Sequence, residues 1–268
     1  MTATLRYELR MQLRRPAMWA VTAVTLVLLW LLIGPELPML LREPARIAMI
    51  RTIIFCDVPL PIGFAFLIAD RLVRDGRTGV AAILDATPTA GWRRLIGKYL
   101  GCVTATGLPI VAVYFGIAVA YAARNSAPQA LLWTLAMFGA ITLPALLFVG
   151  ALALSVPLAA PPAVFRVLFV GYWIWTSYLV PPRLVPTLSQ TVVDPVGGYP
   201  IQVFFGYHGG HAGSGGPSDW AGPVPGAVFN VVRPTPNQAT AWLSIGILLG
   251  LSVLCLSFAQ LARERRAQ

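Results

Sequence analysis

Six stretches of this chain are long and almost free of charge, and that feature decides the solvent in which it can fold. They cover residues 17–34, 47–69, 99–122, 130–156, 163–181 and 239–261. An α-helix rises 1.5 Å per residue, so about 20 apolar residues cross a hydrocarbon core of about 30 Å. Inside that core every backbone amide must find its partner within the protein, which favours helices. The expectation is an all-α, polytopic integral membrane protein with six transmembrane helices in a single domain over residues 1–268. Charge supports it: 11% of residues are charged and the mean hydropathy is +0.72, where a soluble domain carries about 25% charge.

The net charge of +10 does not point to nucleic acid, because the basic residues sit at the ends of spans and not on one face. Their distribution orients the chain instead. With the N-terminus inside, 14 of the 20 lysines and arginines flank the inner ends of the spans. The positive-inside rule then places both termini in the cytoplasm. High alanine, arginine and proline usage fits a bacterium, with the plasma membrane as location.

Residues 4–15 place Leu5, Leu9 and Leu13 one turn apart, with Arg6, Arg10 and Arg14 on the neighbouring face and Glu8 and Arg15 completing the polar side. Such a basic amphipathic helix suits the interface plane of an anionic leaflet, although an ordinary positive flank would read the same way. The second span carries Asp57, Pro59, Pro61 and Gly63. An ionised carboxylate at that depth costs about 2.5–3.5 kcal/mol, so Asp57 is expected to face the protein interior, to be protonated or to pair with a donor. The prolines free backbone carbonyls and kink the span there. Aromatic residues crowd the end of the fifth span, Tyr172, Trp173, Trp175 and Tyr178, either as an interfacial belt or as the lining of a pathway. Asp57, Pro59, Tyr172 and Trp175 are the pathway or gate candidates.

Between the second and third spans lies a basic connector, residues 70–98, with a short apolar-faced segment built on Val80, Ile83 and Leu84. It stops at Thr87-Pro88, and a new turn begins at Trp92. A loop of this kind suits docking on a cytoplasmic partner, or else only sets topology. Residues 182–238 read as one long extracellular loop rich in glycine and proline, with an apolar patch at 199–207 that is too short to span and is expected either to dip into the interface or to cap the spans from outside. His208, His211 and Asp219 lack the rigid spacing that a metal requires, so no metal site is expected. Cys56, Cys102 and Cys255 fall in apolar segments and read as small hydrophobes. The chain has no Walker-type phosphate loop, no HExxH and no GxSxG. No catalytic residue is assigned, and any energy source must lie in another chain.

Two motifs carry a resemblance. RYELRMQLRRPAMW at the N-terminus and DRLVRDGRTGVAAILDATPTAGWRRLIGKYLG after the second span resemble the corresponding segments of type-2 permeases, the membrane subunits of ATP-binding-cassette transporters. The matching elements are Glu8, Arg14-Arg15-Pro16, Asp70-Arg71, Gly76, Leu84 to Thr89 and Gly97-Lys98. The resemblance implies an elbow helix over 1–15, with Leu5, Leu9, Leu13, Arg14 and Arg15 on the inner leaflet. It also implies a cytoplasmic coupling helix over 79–91, whose contact residues would be Val80, Ile83, Leu84, Asp85 and Pro88, with Trp92 and Arg93 beyond it. The implied partners are a cytoplasmic ATPase subunit, which would hold the ATP and Mg, a second permease chain, identical or homologous, and the bilayer; this chain would bind no cofactor. A hydrophobic or amphipathic cargo suits the apolar spans. One departure from the family is the glycine- and proline-rich 182–238 loop, where members carry helical re-entrant elements. Two other readings stay open: a membrane anchor or assembly protein whose extracellular loop binds a partner, and an intramembrane enzyme using Asp57, which would need a second polar group at the same depth.

Overall fold

The computed structural model describes residues 2–57, 59–77, 91–177, 179, 186–208, 220–224 and 226–267. Among them there is no strand. The helices are α1 (Thr2–Leu13), α2 (Pro16–Ile33), α3 (Leu37–Leu40), α4 (Ala45–Cys56), α5 (Pro59–Ile68) and α6 (Arg71–Arg77). They are followed by α7 (Gly91–Asn125), α8 (Gln129–Met137), α9 (Leu143–Ser155), α10 (Pro162–Ser177), α11 (Gly198–Phe205) and α12 (Gln238–Ala267).

Four stretches are long and apolar enough to cross a bilayer: Pro16–Leu40, Gly91–Asn125, Gln129–Leu158 and Gln238–Arg265. A fifth forms if the pair Ala45–Cys56 and Pro59–Arg74, bent by 43°, counts as one span. The expected span at 163–181 is represented by α10, whose 16 residues reach about 24 Å at 1.5 Å per residue. The protein is thus all-helical and compatible with embedding in a membrane.

The helices run back and forth between two ends. Asp70, Gly91 and the turn at Ala159–Pro161 lie at one end, called here the near end, where Asp70 pairs with Arg166. The turns 41–44 and 126–128 and residues 186–208, 220–224 and 226–237 lie at the far end, where Tyr121 donates to the Glu43 carbonyl.

Helix α9 is the centre, with ten of its 13 residues buried. It packs along α12 and α5 and touches α7. Because lipid tails are as apolar as leucine, close backbone approach does the work of association in a membrane. Gly150 shows this: a Cβ there would stand 2.7 Å from Val103 Cγ2 and 3.3 Å from Phe64 Cε1. Gly63 on α5 likewise leaves room for the Thr25 side chain of α2. Helix α2 is apolar all round, and only the stripe Met18, Thr25, Leu29 and Ile33 is buried, while Val24, Val27, Leu28 and Leu31 face outward.

Gly150→Val should overpack this junction at a cost of about 1–3 kcal/mol. Thermal unfolding in detergent checks it: the variant melts lower, and adding Val103→Ala recovers part of the loss. Equal melting of wild type and Gly150→Val would refute the close-approach account.

Candidate functional site

Asp57 stands where the second span breaks. It ends α4, with its N–H on the Ile53 carbonyl at 2.8 Å, and α5 restarts at Pro59. Pro61 has no amide hydrogen to give to the carbonyl four residues earlier, which is that of Asp57. The Trp173 indole of α10 supplies the missing donor, with Nε1 at 3.1 Å from the Asp57 carbonyl oxygen.

A second break faces the first. Pro144 withholds its amide from Ala140, and residues Phe138–Thr142 form a π-helical turn in which the Leu143 N–H reaches back five residues to the Phe138 carbonyl. Such turns displace side chains from the regular helical register and are common at functional sites. Here the turn brings Thr142 to the carboxyl of Asp57. Oδ1 of Asp57 accepts hydrogen bonds from Tyr114 of α7 at 2.5 Å and from Thr142 at 3.3 Å, and the two hydroxyls are 3.2 Å apart. Oδ2 is buried without a hydrogen-bond partner. Asp57, Tyr114, Thr142 and Trp173 are all buried. No cation pairs with Asp57 among the described residues.

Of the pathway candidates, Asp57 and Pro59 lie at this junction, and Tyr172 and Trp175 do not. Tyr172 is half-buried beside Phe169, and Trp175 donates to the Pro186 carbonyl at 2.6 Å, so it anchors the far-end segment. Trp173, next to Tyr172, is the aromatic residue that reaches Asp57. Sequence reading missed Tyr114 and Thr142, the polar groups at the depth of Asp57; Pro144, two residues after Thr142, was the available signal.

Tyr114→Phe should destabilise the protein by about 1–3 kcal/mol, because a buried acceptor loses its best donor. The loss should shrink in an Asp57→Leu background, where that acceptor is gone. Denaturant titrations of the four proteins test this coupling; purely additive effects would exclude it.

The near end carries a second buried polar group. Lys98 of α7 pairs with Glu8 of α1 at 3.1 Å, and Gln12 reaches Cys102 Sγ at 3.5 Å. Glu8 therefore lies against α7, and not on an outward polar side with the arginines. Leu9 and Leu13 are half-buried, Arg14 is exposed and Arg15 is half-buried; the side chain of Leu5 lies outside the described residues. Segment 79–90, with Val80, Ile83, Leu84, Asp85 and Pro88, also lies outside them. Trp92 and Arg93 are exposed on the first turn of α7.

At the far end, residues 186–207, 220–224 and 226–237 build a cap. Helix α11 is bracketed by left-handed Gly197 (φ 77°) and Gly206 (φ 58°), a conformation that favours glycine. A side chain at Gly198 would run into the Trp220 carbonyl. Phe204 lies 5.1 Å from Trp242 of α12, and Phe205 lies 6.5 Å from Trp133 of α8. Arg233 donates to the carbonyls of Thr187 and Ser189 at 2.7 and 2.9 Å. Asp194 accepts the amides of Gln190 at 3.1 Å and Val196 at 2.9 Å. Burial pushes the Asp194 carboxyl up to about 7, against the pull of these two amides and Arg233. His208 is exposed, and His211 and Asp219 lie outside the described residues, among which no group of three metal-ligating side chains occurs.

A carboxyl raised on folding is stabilising in its protonated form. The cap should be most stable below the ordinary carboxylate value of 3.8 and should loosen as pH rises from there towards 7. Amide hydrogen exchange of Val196 should accelerate over that window beyond the intrinsic rate, and Asp194→Asn should flatten the dependence. A cap whose protection is independent of pH in the wild type would contradict this.

No protein-family model matches the chain, and no curated protein or solved structure matches it significantly.

Proposed function

We propose that this chain is the permease subunit of an ATP-driven exporter in the bacterial plasma membrane. It pairs with a second permease chain to form the path of a hydrophobic or amphipathic substrate, and it couples to a separate cytoplasmic ATPase. In this reading the bent pair α4–α5 and helix α10 complete six spans, both termini are cytoplasmic, α1 is the elbow helix and 79–91 is the coupling helix. ATP and Mg belong to the ATPase.

The observation that carries the reading is the buried Glu8–Lys98 pair. It fastens α1 to α7, the helix that begins at Gly91, where the proposed coupling segment ends. Breaking such a pair by removing one partner costs about 3–5 kcal/mol, so α1 and the first turns of α7 move as one body. A displacement imposed on 79–91 by an ATPase then passes directly into α7, whose Tyr114 holds Asp57 at the junction of the two broken helices. Alternating access requires that the partner bind the two states with different affinity, and a rigid lever of this kind transmits that difference.

The cap favours a second reading, a membrane anchor or assembly protein whose far-end segment binds a partner. Co-purification with the candidate ATPase in nanodiscs separates the two. The permease reading expects a stable complex whose ATP hydrolysis responds to the membrane subunit, and loss of association or of that response in Ile83→Asp/Leu84→Asp. If well-folded protein binds no ATPase while deletion of residues 199–220 abolishes its cellular role, the anchor reading holds instead.

A further inference from the structure

A cavity of about 840 Å³ lies between α2, α4 and the last turns of α7, walled by Leu26, Leu29, Trp30, Met49, Ala120 and Arg124. It is separate from the Asp57 junction and its four hydrogen-bonded side chains. The volume is within the range of small-molecule sites, about 300–1,000 Å³. Along α2 and α3 the wall runs from Leu26 to Leu40, about 20 Å at 1.5 Å per residue. One leaflet of hydrocarbon is about 15 Å deep. The groove therefore has the length of an acyl chain that starts at the interface and ends near the bilayer centre.

Its polarity is confined to one end. Thr52 and Tyr121 also line the groove, but both hydroxyls are committed to backbone carbonyls, Thr52 to Ala48 at 2.8 Å and Tyr121 to Glu43 at 2.5 Å. Apart from the indole of Trp30, the remaining polar side chain of the lining, and its one charged group, is Arg124, the basic residue in the last turn of α7. It is exposed and makes no ion pair with another described residue, whereas nearby Arg51 is held by Glu43 at 2.8 Å. An apolar run that ends in one exposed cation is complementary to an acyl chain that ends in an anionic headgroup. A lipid of opposite charge satisfies both ends of the groove.

We infer that the groove is a binding site for an anionic phospholipid, with one acyl chain along α2 and α4 and the headgroup phosphate on Arg124. A guanidinium–phosphate contact is a charge-assisted hydrogen bond, and the quaternary ammonium of a choline headgroup would set a second cation beside Arg124, so a headgroup of net negative charge is favoured. The site stands whether or not the chain couples to an ATPase.

Native mass spectrometry of the purified full-length chain, incubated with equal amounts of phosphatidylglycerol and phosphatidylcholine of identical acyl chains, tests the assignment. The wild type should carry one phosphatidylglycerol in preference to phosphatidylcholine. Arg124→Gln should reduce that preference about tenfold, the loss of one charged hydrogen bond. Ala120→Phe, on an exposed position of the wall, should lower retention of both lipids by filling the groove. Arg42→Gln, which removes an exposed far-end arginine outside the lining, should change neither. An unchanged preference in Arg124→Gln, or undiminished adducts in Ala120→Phe, would overturn the site. So would a lipid-free dimer in the wild type, which would give the groove to a second copy.

Discussion

A backbone carbonyl in hydrocarbon has no water to turn to, and much of this structure follows from two of the places where prolines create such carbonyls. Pro59 and Pro61 interrupt one apolar segment and Pro144 interrupts another. The chain satisfies the Asp57 carbonyl with a tryptophan from α10 and absorbs Pro144 with a π turn. These repairs tie helices together that sequence places far apart. The side-chain cluster of Asp57, Tyr114 and Thr142 forms at the point where the two repairs meet. A carboxyl in an unbroken helix would have had neither the indole nor the threonine within reach.

Packing around that junction depends on small residues more than on hydrophobicity. Side chains that are apolar on every face gain nothing by choosing a helix over lipid, so position is set by shape. Gly150 lets α9 approach α7 and α5, and Gly63 receives the threonine of α2. The two ends of the bundle are fixed by polar contacts instead: Glu8 with Lys98 and Asp70 with Arg166 at one, Glu43 with Arg51 and Tyr121 at the other. The arginine of the Asp70–Arg166 pair also lies 5.9 Å from the ring of Phe66. This division, shape in the middle and charge at the ends, is the one that a low-dielectric slab between two aqueous layers imposes.

The far-end cap shows what glycine does in irregular backbone. Its glycine and proline content reads as one long loop, within which Gly197 and Gly206 supply the positive φ angles that bracket α11, and Gly198 permits the chain to pass beneath Trp220. The buried arginine and aspartate of the cap, Arg233 and Asp194, look like ordinary loop charges in sequence. Both are spent on backbone groups, the one donating to carbonyls and the other accepting amides. Charge in this cap holds irregular backbone in place.

Sequence by itself pointed to the class of fold. Apolar length and the scarcity of charge are compatible with helices embedded in a membrane, and Pro59 and Pro61 foretold the break in the second span, whereas Pro109 sits inside the unbroken α7. It also marked Asp57 as the polar group needing an explanation. It could not say what meets Asp57, because Tyr114, Thr142 and Trp173 lie 57, 85 and 116 residues away, and hydrophobic periodicity is silent on helices that are apolar all round. Which face of α2 is buried, which edge of α1 turns towards α7, and which of three neighbouring aromatics reaches the break were all decided by tertiary packing. The physical reason is the same each time: within a segment the bilayer dictates backbone bonding, but only the shapes and residual polar groups of other segments dictate which neighbour a side chain finds.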